Sequence, residues 1–257
     1  MKIIDSIKAR YGILKLKKFN KTKYSKALRE LKNMHSNEIC FIIGNGPSLS
    51  YEDLDVLHKN KVVTFAFNRI YLIFDKTKWR PDYYISQDEK ILIRSVDQIN
   101  DMNLDYKFIP LNYKYYFDVD IKGAKYFKII PSEKGKYHFS DDISKYVGNS
   151  GTVVFTATQL ASYMGFKKIY LIGVDHSFNK YRNDNGDILI DKKSKDYFID
   201  DYNKDKNDLY IPNLDESTRT FLEMKKCCEA RGIEVYNATR GGKLEVFPRV
   251  CFDDLFK

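Results

Sequence analysis

The sequence predicts an α/β fold: a Rossmann-like, mostly parallel sheet with helices on both faces and a lid segment. Three observations predict it. Short apolar runs bounded by turn residues recur along the chain, as buried parallel strands require. Two loops rich in small residues, Gly44-Asn45-Gly46-Pro47-Ser48 and Gly148-Asn149-Ser150-Gly151-Thr152, each follow such a run or open a helical pattern. Polar residues then sit at several strand ends, where open α/β sheets bind ligands.

The 257 residues fit one large α/β domain with elaborations. The hydrophobic fraction of 43% supplies a core, and the aromatic fraction of 15% is high. The chain holds 44 Lys and Arg against 35 Asp and Glu, and residues 1–35 hold 11 and 2 of these. The rest is therefore balanced, 33 against 33, and the whole excess sits at the N-terminus. A nucleic-acid binder spreads basic charge over its folded face, so this pattern argues against nucleic acid and for an anionic surface. The four cysteines show neither CxxC nor zinc spacing and read as reduced cysteines of a cytosolic protein. No run is long enough to span a membrane and no signal-peptide core is seen.

Residues 1–37 form a basic amphipathic helical arm. Ile3, Ile4, Ile7, Tyr11 and Leu14 recur at helical spacing among Lys2, Lys8, Arg10, Lys15, Lys17 and Lys18. Such a segment suits a membrane interface with anionic lipids; it equally suits a helix packed on the domain with a solvated basic face. A second helix is expected from about Lys23 to Met34.

Residues 38–257 form the Rossmann-like domain. Cys40 to Ile43 is a buried strand. Gly44 and Gly46 permit unusual backbone angles or close approach of a ligand, and Pro47-Ser48 suits a helix start. The loop supports two readings, a phosphate- or nucleotide-binding turn and an ordinary βα connection. It is neither a Walker loop nor the dinucleotide fingerprint. A helix at Tyr51 to His58 leads to a strand at Lys61 to Phe67 ending in Asn68-Arg69. The strand near Tyr83 to Ile85 ends in Ser86-Gln87-Asp88. A helix is expected at Ile91 to Ile99, strands at Tyr106 to Leu111 and Tyr126 to Ile130, and a Tyr-rich turn (Tyr113, Tyr115, Tyr116) between them. After the second loop comes an apolar helix, Val153 to Met164, then a strand, Ile169 to Asp175. Residues from about 176 to 213 lack periodicity and read as a lid carrying Tyr181, Tyr197, Phe198, Tyr202 and Tyr210. A helix at Thr218 to Arg231 and a strand at Ile233 to Tyr236 complete the pattern.

Asn45, Asn68, Ser86, Asp88, Asn149, Ser150, Asp175, His176 and Asn237 should converge at one sheet edge. Such a set suits a nucleotide and sugar hydroxyls better than two-carboxylate or Ser/His/Asp hydrolysis. Asp88 and Asp175 fit either a Mg²⁺ ion between phosphates or acceptance of hydroxyl hydrogens. His176 is either a base near neutral pH or a structural histidine.

The motifs Ile42-Ile43-Gly44-Asn45-Gly46-Pro47-Ser48-Leu49, Phe67-Asn68-Arg69, Asn149-Ser150-Gly151 and Gly165-Phe166 through Val174-Asp175 resemble two related families over about residues 38–250. One is the archaeal-type 6-hydroxymethylpterin diphosphokinase domain family, whose bacterial members look like parts of surface-glycan systems. The other is the bacterial sialyltransferase family with one Rossmann-like domain and a lid. The second resemblance implies a CMP-activated nonulosonic acid transferred without metal to a glycan or lipid-linked acceptor. In that comparison Gly44, Asn45, Gly46, Ser48 and Asn68 contact the nucleotide, and Asn149, Ser150 and Gly151 line the phosphate or sugar; Ser86, Asp88 and Asp175 are expected donor-binding residues from their strand-end placement. Tyr181 steadies the leaving phosphate. The family's catalytic His follows a Tyr-Ile pair late in the lid; here Tyr210-Ile211 precedes Pro212-Asn213-Leu214-Asp215, so Asp215 or His176 is the expected base. The first resemblance instead implies ATP and Mg²⁺ at Asp88 and Asp175. A non-catalytic nucleotide- or glycan-binding module is the third reading. The expectation is a cytoplasmic glycosyltransferase, peripheral at the inner face of the membrane, without cofactor and compatible with a homo-oligomer.

Overall fold

The computed structural model describes residues 12–133, 136–203 and 210–257. Ile3, Ile4, Ile7 and Tyr11, with Lys2, Lys8 and Arg10, lie outside the described residues.

Seven strands form one parallel sheet in the order β11-β8-β1-β2-β3-β4-β5. They are β1 (Ile39–Ile43), β2 (Val63–Phe67), β3 (Tyr83–Ile85), β4 (Tyr106–Pro110), β5 (Lys125–Phe127), β8 (Lys168–Ile172) and β11 (Glu234–Asn237). Cys40, Phe41, Ile42 and Ile43 are all buried in succession, so both faces of the sheet are covered at its centre. The short β6 (Ile129–Ile130) and β7 (Val147–Gly148) pair separately, as do β9 (Lys180–Arg182) and β10 (Ile188–Ile190).

The helices are α1 (described over 12–17), α2 (Lys23–Arg29), α3 (Tyr51–Lys59), α4 (Glu89–Arg94), α5 (Val96–Asp101), α6 (Leu111–Phe117), α7 (Val153–Met164) and α8 (Leu214–Glu229). Among the described residues no helix is long and apolar enough to cross a membrane. Helix α7 is the central one. Ten of its twelve residues are buried, and it packs against β1 and α8.

Several elements differ from the sequence expectation for local reasons. No helix opens at Pro47-Ser48; helix α3 starts at Tyr51, where the sequence also places one, because the Ser50 side chain caps it by accepting from the Asp53 N–H. The Tyr-rich segment is helix α6, not a turn. The helix expected at Ile91 to Ile99 is broken at Ser95, whose φ of −117° is not helical. The lid contains the β9–β10 hairpin.

Residues 12–37 are continuous with the domain core. Leu16, Phe19, Leu28 and Leu31 are buried within it. The segment also caps α7. The backbone N–H groups of Asn33, His35 and Asn37 donate to the carbonyls of Tyr163, Met164 and Gly165 at 3.1, 2.8 and 3.1 Å. These carbonyls are ones a helix end leaves without intrahelical partners. Gly165 sits at the crossing with φ +96°, and a Cβ there would approach the Asn33 and Ser36 backbone to 3.2 Å. Gly165→Ala is expected to lower the unfolding free energy by about 1–3 kcal/mol, read as a lower urea midpoint with unchanged slope. An unchanged midpoint would show that the cap is not under this constraint.

Candidate functional site

The strand order reverses direction at β1: β2 to β5 extend to one side, β8 and β11 to the other. In open α/β sheets the ligand crevice lies outside the strand carboxyl ends at such a point. A cavity of about 580 Å³ lies there, walled by the ends of β1, β2, β3 and β8, the first turn of α7, and the lid.

The β1 and β8 ends fit closely. The Gly44 N–H donates to the Ile172 carbonyl and the Gly46 N–H to the Gly173 carbonyl, both at 2.8 Å. Neither Gly44 nor Gly46 is among the positive-φ glycines. A Cβ on Gly44 would land on the Gly173 carbonyl oxygen, and one on Gly46 on the Asp175 carboxylate. These glycines therefore serve the approach of two strand ends rather than unusual backbone angles.

Ser48 donates to Asp175 Oδ2 through its hydroxyl at 2.7 Å and its N–H at 3.3 Å. Asp175 is buried, and burial raises its carboxyl above the ordinary range against the pull of the Ser48 bonds.

The second loop is held from behind by Gln159. Its Oε1 accepts from the N–H groups of Ser140 and Gly148 at 2.9 and 2.8 Å, and its Nε2 donates to the Gly148 and Phe155 carbonyls. Asn149, Ser150 and Gly151 thereby join the cavity wall with the first residues of α7. The positive end of a twelve-residue helix faces the space.

Of the residues expected from sequence, Gly44, Asn45, Gly46, Asn68 and Asp88 line the cavity from the β1 to β3 ends. Asn149, Ser150, Gly151, Asp175 and His176 complete the wall. Five expected residues do not line it. Ser48 stands behind Asp175. Ser86 is fully buried beneath, and Gln87 occupies the wall instead.

Tyr181 lies in β9, outside the cavity wall. Asp215 is exposed and its carboxylate accepts from the Asp184 N–H at 2.9 Å. Asp184 in turn pairs with both terminal nitrogens of Arg219. Asp215 thus anchors the hairpin turn on α8, and it is corrected from candidate base to structural tie. Asn237 is also structural: its side chain donates to the Leu244 carbonyl at 2.7 Å.

His176 lines the cavity with φ +53°. Its Nε2 lies 2.8 Å from the Thr218 hydroxyl, which itself donates to the Leu214 carbonyl at 3.0 Å. The hydroxyl hydrogen is thus spent, so this network assigns the imidazole hydrogen to Nε2 and leaves Nδ1 as the basic nitrogen. Burial pushes the imidazole below its ordinary value, keeping it neutral.

Four buried polar atoms of wall residues have no hydrogen-bond partner among the described residues: Asn45 Oδ1, Asn68 Oδ1, Gln87 Oε1 and Ser150 Oγ. Each costs about 1–3 kcal/mol unless something satisfies it. Among the described wall residues there are four carboxylates (Asp88, Glu89, Asp175 and Asp196) and no Lys or Arg. Asp88 Oδ1 is committed to capping α4 at the Ile91 N–H. Among the described residues no three His, Cys, Asp or Glu side chains cluster as metal ligands.

The lid closes on this site through Tyr202, a residue the sequence marked only as one lid aromatic among several. Tyr202 is 1% exposed. Its hydroxyl accepts from Asn45 Nδ2 at 2.9 Å and its carbonyl from Arg69 at 2.5 Å. Tyr197 stacks on it at 3.9 Å between centroids, and the Phe198 N–H donates to the Asn45 carbonyl. Tyr202→Phe is expected to cost about 1–2 kcal/mol and to speed proteolytic nicking within the lid, because local opening becomes cheaper. Nicking at the wild-type rate would show that the hydroxyl does not hold the lid.

Comparison with known proteins adds three findings. A family model described as 6-hydroxymethylpterin diphosphokinase MptE-like matches residues 13–181. No curated protein matches the chain. Among solved structures, a MAf glycosyltransferase from Magnetospirillum magneticum AMB-1 superposes with a TM-score of 0.53 at 16% identity. The alignment covers 90% of this chain and 38% of that longer protein, and at this identity it speaks for the fold. The resemblance carried by the Gly44, Asn68 and Gly173 motifs and the family match agree: the chain belongs to the 6-hydroxymethylpterin diphosphokinase MptE-like family.

Proposed function

We propose that this protein is a glycosyltransferase of cell-surface glycan assembly, moving a nonulosonic, sialic-acid-like sugar from a CMP-activated donor to a glycan or lipid-linked acceptor. One observation carries the reading: a cavity whose wall offers orphaned amide and hydroxyl atoms and a helix N-terminus, but no Lys or Arg among its described residues. Amide and hydroxyl groups suit a base and sugar hydroxyls. A single phosphate can rest on the α7 N-terminus. A triphosphate would bring several negative charges beside four carboxylates with no cationic side chain to meet them. The fold shared with a glycosyltransferase is consistent with this reading.

In the proposed reaction the acceptor hydroxyl oxygen bonds to the anomeric carbon while the bond from that carbon to the phosphate oxygen breaks. CMP leaves with the electron pair. The hydroxyl proton passes to His176 Nδ1, the nitrogen that the Thr218 contact leaves basic. Orientation of the imidazole by Thr218 would keep Nδ1 in line.

The family match supports a second reading, pyrophosphoryl transfer from ATP to a pterin-like alcohol. A thermal-shift panel separates the two. CMP is expected to raise the melting temperature equally with Mg²⁺ and with EDTA, and ATP is expected to do little. Stabilisation by ATP alone, and only with Mg²⁺, would replace the proposal by the diphosphokinase. Silence across all nucleotides would leave a glycan-binding module.

His176→Gln is expected to lower kcat by about 10²–10⁴-fold with little change in donor binding. Because burial lowers the imidazole below 6.5, the wild-type rate is expected to hold below pH 6.5 before its acidic limb begins. The sign for stability is the same. The unfolded state binds the proton more readily, so stability is full above 6.5 and falls as pH drops towards the folded value. A kcat unchanged in His176→Gln would remove the histidine from the reaction.

A further inference from the structure

Helix α1 has two apolar faces, and only one is used by the core. Gly12, Leu16 and then Phe19 turn inward and are buried. Ile13 and Leu14 turn outward and are 46% and 59% exposed. Gly12 lies against α6: a Cβ there would come within 3.0 Å of the Tyr116 ring and 3.1 Å of Tyr115 Cβ. Beside this crossing Tyr116 and Phe117 are 38% and 42% exposed. Ile13 and Leu14 on α1, and Tyr116 and Phe117 on α6, are thus exposed apolar residues of two helices that meet at Gly12. Lys17, one turn beyond Ile13 on the same helix, and Lys18, just after its end, are exposed. The α1 residues, Ile13 and Leu14, sit in the part of the sequence that carries the entire basic excess, 11 Lys and Arg against 2 acids in residues 1–35.

We propose that the α1–α6 patch is a docking surface for an anionic phospholipid membrane. Exposed Ile, Leu and Phe side chains bury in the interface while lysines meet the headgroups. Charge complementarity decides the occupant. A second copy meeting this face would bring two strongly basic segments together, whereas an anionic bilayer offers opposite charge. The patch is also linked to the cleft. Tyr113, at the other end of α6, lines the cavity, and its ring lies 5.8 Å from that of Phe117. Docking through Phe117 places the cavity wall one helical turn from the bilayer. The proposal rests on exposure and charge and stands whichever donor the cleft takes.

The test is co-sedimentation of the full chain with phosphatidylcholine vesicles, with and without phosphatidylglycerol. Wild-type protein is expected to bind only the phosphatidylglycerol vesicles, and more weakly as salt rises. Ile13→Glu with Leu14→Glu is expected to weaken binding about tenfold or more, at an unchanged melting temperature. Lys17→Glu with Lys18→Glu gives a second, purely surface variant expected to weaken it by about fivefold or more per residue. Ile190→Glu, in the exposed apolar strand β10, is the control and should bind as wild type. Equal binding to both vesicle types, or wild-type binding by both double variants, would overturn the proposal. So would a dimer that the Leu14 variant converts to monomer without any vesicle binding, since the face would then be a contact between copies.

Discussion

The structure turns on the contact between the loop after β1 and the end of β8. Two backbone hydrogen bonds, from Gly44 to Ile172 and from Gly46 to Gly173, join them, and Ser48 ties the same loop to Asp175. No side chain fits at Gly44 or Gly46 while those bonds exist. Once they form, Asn45 and His176 are fixed on the two sides of one crevice. The loop N–H groups of Gly44 and Gly46 are consumed in this contact. The backbone N–H groups that face the cavity are then those of the other loop, at the start of α7, which Gln159 holds in place. The two loops look alike in sequence and do different work.

A second set of contacts makes the lid part of the site. Asn45 spends its amide hydrogens on Phe67 and Tyr202, so one residue links β1, β2 and the lid. Arg69 takes the Tyr202 carbonyl. On the far side, Lys243 pairs with Asp191 at 3.1 Å, and the Lys243 N–H donates to the Asp175 carbonyl. Arg249 gathers the carbonyls of Thr239, Gly241 and Gly242 behind them. Serine, lysine and backbone bonds hold the Asp191 carboxyl down to about 2. The lid is thus pinned at both ends, with the cavity between.

The sheet and much of the cleft were legible because their signals are local. Apolar runs marked β1, β2 and β8, and polar residues at strand ends found Asn45, Asn68 and His176. What failed was decided by tertiary placement. Past Ile85 the strand's alternation turns Ser86 into the core, and the next residue, Gln87, reaches the wall. Asp215 and Tyr181 are catalytic candidates only through the resemblance to the sialyltransferase family. The hairpin that carries Tyr181 is set against α8 by Arg219, Asp184 and the Pro212 backbone, contacts no local pattern announces. The Tyr-rich stretch became α6 because its aromatics have surfaces to pack on, α1 and the cavity, that composition alone does not reveal.

The place of β8 between β1 and β11 has a consequence for how the chain is made. During synthesis β1 emerges early, and β2 can pair along one edge of it at once. Its other edge, the apolar run Cys40 to Ile43, has to wait until residues 168–172 have been made. An open strand edge of this composition is prone to mispairing and aggregation. Closure is dominated by contacts distant in sequence, which slows folding. Production of this protein should therefore reward conditions that shelter the nascent first half, such as slow translation or a holding chaperone.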